Sequence, residues 1–201
     1  MSSRGSFLVV EGIDGCGKST QVRRLATARD AVATFEPGAT TLGSSLRALL
    51  LEDADRPVPV AEALLMAADR AQHVASVIEP ALERGSDVIS DRYASSTLAY
   101  QGYGRGLDLL VLGDLMALAT GGLRPDLTIL LDLPVGDAAA RRTGSPDRME
   151  AEHEEFFERV RQGYLDMAAN DPSRWVVIDA TAPLADVTAA VDEAIVERGL
   201  A

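Results

Sequence analysis

The residues best suited to chemistry lie near the N-terminus. Gly12-Ile13-Asp14-Gly15-Cys16-Gly17-Lys18-Ser19 has the spacing G-x-x-x-x-G-K-[ST], a glycine-rich turn closing on a lysine and a hydroxyl. Glycines let a backbone turn tightly and approach an anion without Cβ clashes. The N–H groups exposed by such a loop, and the start of the helix that follows, attract phosphate oxygens. Lys18 is the only lysine in the chain, beside eighteen arginines. Arginine is a rigid planar fork, whereas lysine is a compact charge on a flexible stem that can follow a phosphoryl group. Gly12, Ile13, Asp14, Gly15, Cys16, Gly17, Lys18, Ser19 and Thr20 are thus expected to hold a nucleoside triphosphate. Lys18 would bridge its β- and γ-phosphates, and the Ser19 hydroxyl would ligate Mg²⁺.

Such a loop works only between a strand and a helix. Phe7–Glu11 is an apolar run of strand length, and Val22, Leu25 and Ala26 recur at helical spacing after it. Further strand-like runs are Ala33–Glu36, Asp87–Asp91, Leu127–Asp132 and Trp175–Ile178. Helical patterns fall at Ser19–Arg29, Leu42–Leu51, Val60–Arg84, Leu107–Thr120, Val135–Arg142, Glu152–Ala169 and Leu184–Arg198. Alternation of this kind predicts an α/β fold of P-loop type, a five-stranded parallel sheet with helices on both faces. Ligands then sit at the carboxyl ends of the strands, where Asp14, Glu36, Asp91 and Asp132 fall. Each could merely cap a helix, but four near one rim point to a functional role for at least two.

A length of 201 residues suggests one domain. The net charge of −12 argues against general nucleic-acid binding and against attachment to an anionic membrane. One cysteine permits no internal disulfide, and no long apolar leader opens the sequence, so a cytoplasmic setting is expected. Asp108, Asp114 and several glycines break the apolar stretch Leu107–Leu123, which reads as a buried helix and not a membrane span.

Four further segments carry more specific information. They are Phe35-Glu36-Pro37-Gly38-Ala39-Thr40, Ala67-Ala68-Asp69-Arg70, the long run Asp91-Arg92-Tyr93 through Ala99-Tyr100-Gln101-Gly102 to Gly106, and Arg124-Pro125-Asp126-Leu127-Thr128. With the loop, they resemble bacterial thymidylate kinases in order and spacing across nearly the whole chain. The resemblance implies a P-loop nucleoside monophosphate kinase that moves the γ-phosphoryl of ATP to dTMP with Mg²⁺, and a homodimer. It implies that Arg70 contacts the thymine base and that Arg92 holds the monophosphate. Asp14 and Glu36 would lie beside the acceptor, and Asp91 would order Mg²⁺ together with Ser19. Tyr100 would disfavour a ribose 2′-hydroxyl, while Thr97 and Gln101 would face the base. The adenine would lie between the lid arginines and the loop near Asp179–Pro183.

The chain departs from that pattern in three places. Met66 stands where an aromatic ring usually stacks on thymine, although a soft sulfur can still cover a flat base. Phe35 stands where an arginine often precedes the glutamate. Gly15 stands where one branch carries a loop arginine, so positive charge for the transition state must come from elsewhere. The segment Arg141-Arg142-Thr143-Gly144-Ser145-Pro146-Asp147-Arg148 reads as a mobile lid, at about 141–150, whose Arg141, Arg142 or Arg148 supplies it. Arg148 would be held by Asp147 and Glu150. Cys16 is read as a small residue that fits the turn, with a reactive thiol beside Lys18 as the alternative. His73 and His153 lack metal-ligand spacing and receive no role.

Two other functions fit the loop alone: a kinase for another nucleoside monophosphate, and a nucleotide-dependent switch without catalysis. In either kinase reading Lys18→Ala should abolish phosphoryl transfer while leaving the folded state intact. Circular dichroism and a turnover assay check this, and surviving transfer would refute the assignment of the loop.

Overall fold

The computed structural model describes residues 4–51, 57–141 and 147–200. Among them, β1 (Phe7–Glu11), β2 (Val32–Phe35), β3 (Val88–Asp91), β4 (Leu127–Asp132) and β5 (Trp175–Asp179) form one sheet. Its order is β2-β3-β1-β4-β5, with every neighbouring pair parallel. The helices are α1 (Lys18–Arg29), α2 (Thr41–Leu51), α3 (Pro59–His73), α4 (Glu79–Glu83), α5 (Ala94–Thr97), α6 (Leu109–Thr120), α7 (Val135–Arg141), α8 (Glu154–Asn170) and α9 (Leu184–Glu197). No helix among the described residues is long and apolar enough to cross a membrane.

The central strand shows why the sheet is covered on both sides. Successive strand residues point to opposite faces, and β1 is apolar at every position before Glu11 and buried throughout. Phe7 and Val9 pack with Val74, Ile78, Leu82 and Tyr93, where the Phe7 and Tyr93 rings meet edge-on at 4.9 Å. Leu8 and Val10 belong to the larger layer with Val22 and Leu25 of α1, Phe157 and Val160 of α8, and Val191 of α9. This double coverage makes β1 the axis of the fold. Its register pairs Val10 with Asp91 of β3 and Glu11 with Leu130 of β4. The loops after β1 and β3 therefore leave the sheet side by side.

Three expected elements differ. The helix anticipated over Val60–Arg84 keeps its path but widens into a π-helical turn at Val74–Ile78 before α4. Pro80 has no N–H to donate, and its ring crowds the carbonyl one turn back; a wider turn just ahead of it relieves that crowding. The segment after Arg92, rich in serine and glycine, lies outside the helical patterns read from the sequence. It forms α5 and a second π-helical stretch, Leu98–Gly104. Finally, α6 is not fully buried. Leu112 and Met116 face the core, but Leu110, Val111 and Leu118 are 65–82% exposed. Asp108 caps its start, its carboxylate accepting from the backbone N–H of Leu110 and of Val111. The neighbouring α3 adds the exposed Val60 and Leu64 to this apolar surface.

The turn out of β1 depends on Gly12, whose φ of 137° lies where side chains are strained. A Cβ there would stand 2.6 Å from the Leu131 carbonyl oxygen and 2.7 Å from Cys16 Sγ. Gly12→Ala should cost about 1–3 kcal/mol. For a chain of this size that lowers the melting temperature by roughly 3–10 °C, and a calorimetric melt indistinguishable from the parent would refute it.

Candidate active site

At the end of β1 the chain wraps into the glycine-rich loop and enters α1, as the spacing predicted. Lys18 opens the helix and is buried; its Nζ donates to the Ile13 carbonyl at 3.1 Å and lies 3.4 Å from Asp14 Oδ1. Gly15 has φ 94°, and a Cβ there would meet the Ala138 carbonyl oxygen at 2.6 Å. No arginine could be built at that position without moving α7. Ser19 Oγ donates to Asp91 Oδ2 at 2.6 Å, so the two residues expected at a metal ion already touch. No cluster of three or more His, Cys, Asp or Glu among the described residues could hold a metal alone. The Ser19 hydroxyl and the Asp91 carboxylate are hard oxygen donors of the kind that Mg²⁺ takes alongside waters and substrate phosphates.

Arg92 follows β3 with φ 73°, a left-handed conformation rare outside glycine. Its N–H donates to the Val10 carbonyl, and its carbonyl accepts from Ser90 Oγ, so both ends of the strained residue are pinned. The guanidinium thereby crosses to the loop. Its Nη2 donates to Asp14 Oδ1 at 2.6 Å and to the Tyr100 hydroxyl at 3.1 Å; its Nη1 reaches the Gly12 carbonyl, Ser96 Oγ and the Tyr164 hydroxyl. It also stands 5.0 Å from the Tyr100 ring centroid. Burial alone would raise the Asp14 carboxyl, but Arg92 and then Lys18 outweigh it and hold its pKa well below the usual carboxylate range. Burial pushes the Tyr100 and Tyr164 phenols far up, so both stay protonated beside Arg92.

Arg70 is not a solvated charge. It is 2% exposed, and Glu36, Thr97, the Tyr93 carbonyl and Met116 Sδ all accept from its guanidinium at 2.7–2.9 Å. Two cavities open on this rim. One is lined by Lys18, Ser19, Thr20 and Asp91, with Phe35 at its side. The other is lined by Met66, Arg70, Thr97, Tyr100 and Gln101. Asp14, Glu36, Arg47 and Arg92 line both. Of the residues expected for the donor, Gly15, Gly17, Lys18, Ser19 and Thr20 line the first space, while Gly12, Ile13 and Cys16 line neither; those expected for the acceptor line the second, across a common wall.

Asp132, the fourth rim carboxylate, is instead paired with Arg161 by two contacts of 2.7 and 2.8 Å. Among the lid arginines, the hold on Arg148 differs from expectation. Arg142 lies outside the described residues. Arg141 donates to the Ala180 carbonyl at 2.9 Å, beside the loop where adenine was expected. Arg148 is held by Glu62 Oε2 at 2.7 Å and the Leu50 carbonyl at 2.6 Å, not by its sequence neighbours Asp147 and Glu150. Asp147 accepts from the backbone N–H of Met149 and of Glu150, while Glu150 accepts from that of Asp147, so this acidic pair caps its own turn.

Four residues at or behind the site carried no assigned role. Buried His73 bridges Thr34 Oγ1 at 2.6 Å and Glu36 Oε1 at 2.8 Å. Its position three residues after Arg70, on the same helix face, was a readable sign. Glu11, wholly buried, accepts from Tyr93 N, Ser95 Oγ, Ser96 Oγ and Tyr164 OH. An acid closing an otherwise apolar strand could have signalled it. Glu62 is an acid on the buried face of α3, four residues before Met66. Arg47 of α2 donates to the Pro37 carbonyl at 2.8 Å, and nothing in its local sequence distinguishes it from other arginines.

A family model described as thymidylate kinase matches residues 10–191. The chain is 50% identical to the thymidylate kinase of Synechococcus sp. strain CC9311 over 212 residues, covering 98% of each protein. It is 48% identical over 204 residues to that of Deinococcus radiodurans, covering 98% of this chain and 99% of the relative. The crystal structure of the thymidylate kinase from Ehrlichia chaffeensis superposes with a TM-score of 0.79 at 33% identity, covering 96% of this chain and 99% of that one.

The reactive-thiol alternative for Cys16 fails on burial. Its side chain lies under the loop, and burial raises the thiol pKa further than Lys18 lowers it. Iodoacetamide at pH 8 should label native Cys16 at least about ten-fold more slowly than the urea-unfolded chain. ATP should leave the slow rate unchanged; rapid native labelling that ATP suppresses would restore the reactive thiol.

Proposed function

The chain belongs to the thymidylate kinase family, and we propose on that premise that it transfers the γ-phosphoryl group of ATP to dTMP, giving dTDP and ADP. The observation that carries this reading is the common wall of Asp14, Glu36, Arg47 and Arg92 between the two cavities. A phosphate chain beside Lys18 and a monophosphate beside Arg92 would face each other across it.

Phosphoryl transfer asks a protein for alignment and charge neutralisation more than for covalent help. The second pKa of a phosphate monoester is about 6, so the attacking oxygen is already ionised at neutral pH. No general base is needed, and Asp14 and Glu36 act as positioners. Asp14 keeps its charge through the neutral range and orients Arg92. Glu36 orients Arg70. Gly12, Ile13, Gly15, Cys16, Gly17 and Thr20 offer backbone groups to the ATP phosphates, and Lys18 and Ser19 offer their side chains. Mg²⁺ arriving with ATP would be held by Ser19 and Asp91 and would neutralise charge on the phosphate oxygens. Met66, Arg70, Thr97, Tyr100 and Gln101 receive the nucleoside of dTMP. Arg47, already on the shared wall, adds a cation that the motifs did not mark.

The remaining charge comes from the lid, about residues 141–150 of one kinase domain spanning 1–201. Arg141 borders the proposed adenine site through Ala180. Arg148 would have to exchange Glu62 for a phosphate oxygen, and Arg142 is the third candidate. The apolar surface of Val60 and Leu64 on α3 with Leu110, Val111 and Leu118 on α6 is the proposed homodimer face, since patches of this kind mark interfaces. A cytoplasmic location completes the reading.

An ADP-release assay with ATP–Mg²⁺ and a panel of monophosphates tests it. Turnover is expected with dTMP and, more weakly, with dUMP. Turnover with CMP or GMP in place of dTMP would make this a different monophosphate kinase, and none at all would leave a nucleotide switch.

A further inference from the structure

Gln101 and Arg148 meet at one buried carboxylate. Glu62 on α3 is 1% exposed. Its Oε1 accepts from Gln101 Nε2 at 2.8 Å and Arg105 Nε at 3.2 Å; its Oε2 accepts from Arg148 Nη2 at 2.7 Å and Arg105 Nη2 at 3.3 Å. Burial would raise its pKa, but the hydrogen bonds from Gln101, Arg148 and Arg105 outweigh that and lower it. An ionised carboxylate only accepts. This decides how the Gln101 amide is turned. Its NH₂ end must face Glu62, because its carbonyl in that place would set acceptor against acceptor. Gln101 also lines the cavity with Met66, Arg70 and Thr97, and the polar end it has left is an acceptor.

We propose that Glu62 is a specificity-determining positioning residue: by holding the Gln101 NH₂, it presents Gln101 Oε1 to the acceptor base and selects a pyrimidine with an N–H at ring position 3. Thymine and uracil carry that donor. Cytosine carries a bare lone pair there, and two facing acceptors repel. The inference rests on the dTMP kinase reading and adds to it the group that sets the polarity of the base pocket. Arg148 fixes the sense of the device, since it only donates and reaches Oε2 alone, whereas Arg105 donates to both oxygens. In Glu62→Gln the new amide oxygen stays with Arg148 Nη2 and Arg105 Nη2, and its NH₂ takes the place of Oε1, giving up the longer 3.2 Å contact from Arg105 Nε. Gln101 then turns its carbonyl to residue 62 and its own NH₂ to the base, the opposite preference.

The substrates dUMP and dCMP both lack the thymine methyl and differ at the base edge. Their kcat/KM values with ATP–Mg²⁺ would be measured for the parent, Glu62→Gln and Arg148→Ala. Glu62→Gln should lower the dUMP-to-dCMP ratio by roughly ten-fold or more. Arg148→Ala also loses a Glu62 contact, yet should keep the ratio within about two-fold while kcat falls for both substrates. A Glu62 that served only stability would depress both substrates together and leave the ratio alone, which overturns the proposal. Should Glu62→Gln fail to fold, Gln101→Met removes the acceptor without inverting it and should reduce the ratio by a smaller factor, about three-fold or more; a preserved ratio there overturns it equally. A parent protein that turns over neither dTMP nor dUMP overturns the kinase reading itself, before any variant is compared.

Discussion

The 2.6 Å contact between Arg92 Nη2 and Asp14 Oδ1 organises the rim of the sheet. Asp14 comes from the loop after β1 and Arg92 from the residue after β3. The pairing of Val10 with Asp91 brings those two chain exits together. A slip of one residue would turn every strand side chain to the other face, so the register that buries Leu8 and Val10 also sets the span of this ion pair. Desolvating two charges can cost more than their attraction returns, and the pair is therefore poor evidence of stability. Its consequence is orientation. Asp14, Tyr100, Ser96, Tyr164 and the Gly12 carbonyl leave the Arg92 guanidinium one direction to point.

The same logic recurs wherever a cation is buried nearby. Arg70 is held by Glu36, which is held in turn by His73 and Thr34. Arg105 and Arg148 converge on Glu62. A chain of net charge −12 can therefore carry cations at its site without a basic surface, because Arg70, Arg92, Arg105 and Arg148 are each paired with an acid. The overall sign of the protein and the sign of its site answer different questions: the first bears on bulk partners, the second on what enters between the strands.

Much of this was legible in the residues. The strand, the loop and the start of α1 are written in a local pattern whose physics is local: glycines where φ is positive, a lysine where phosphate collects. The five strands stand where apolar runs announced them, within a residue or two, because a parallel sheet buried on both faces demands such runs. What stayed hidden depends on packing between segments distant in sequence. The segment 94–104 lies outside the helical patterns of the sequence, yet it forms α5 and a π-helical stretch, with Glu11 collecting the groups that open it. Arg148 was assigned to its sequence neighbours, but its carboxylate lies 86 residues away on α3. Leu110 and Leu118 were expected inside; helical periodicity says that a face is apolar, not what covers it.

Glu11 gives the architecture a temporal side. Its carboxylate is the last side chain of the central strand, and the donors that fill it come from Tyr93, Ser95 and Ser96 after β3 and from Tyr164 in α8. Movement of either segment takes hydrogen bonds from a buried acid, at a cost of about 1–3 kcal/mol. Local opening in proteins follows such cooperative boundaries. The end of the central strand, the segment that follows Arg92 and α8 are thus tied through one carboxylate, so that opening any of them is felt by the others.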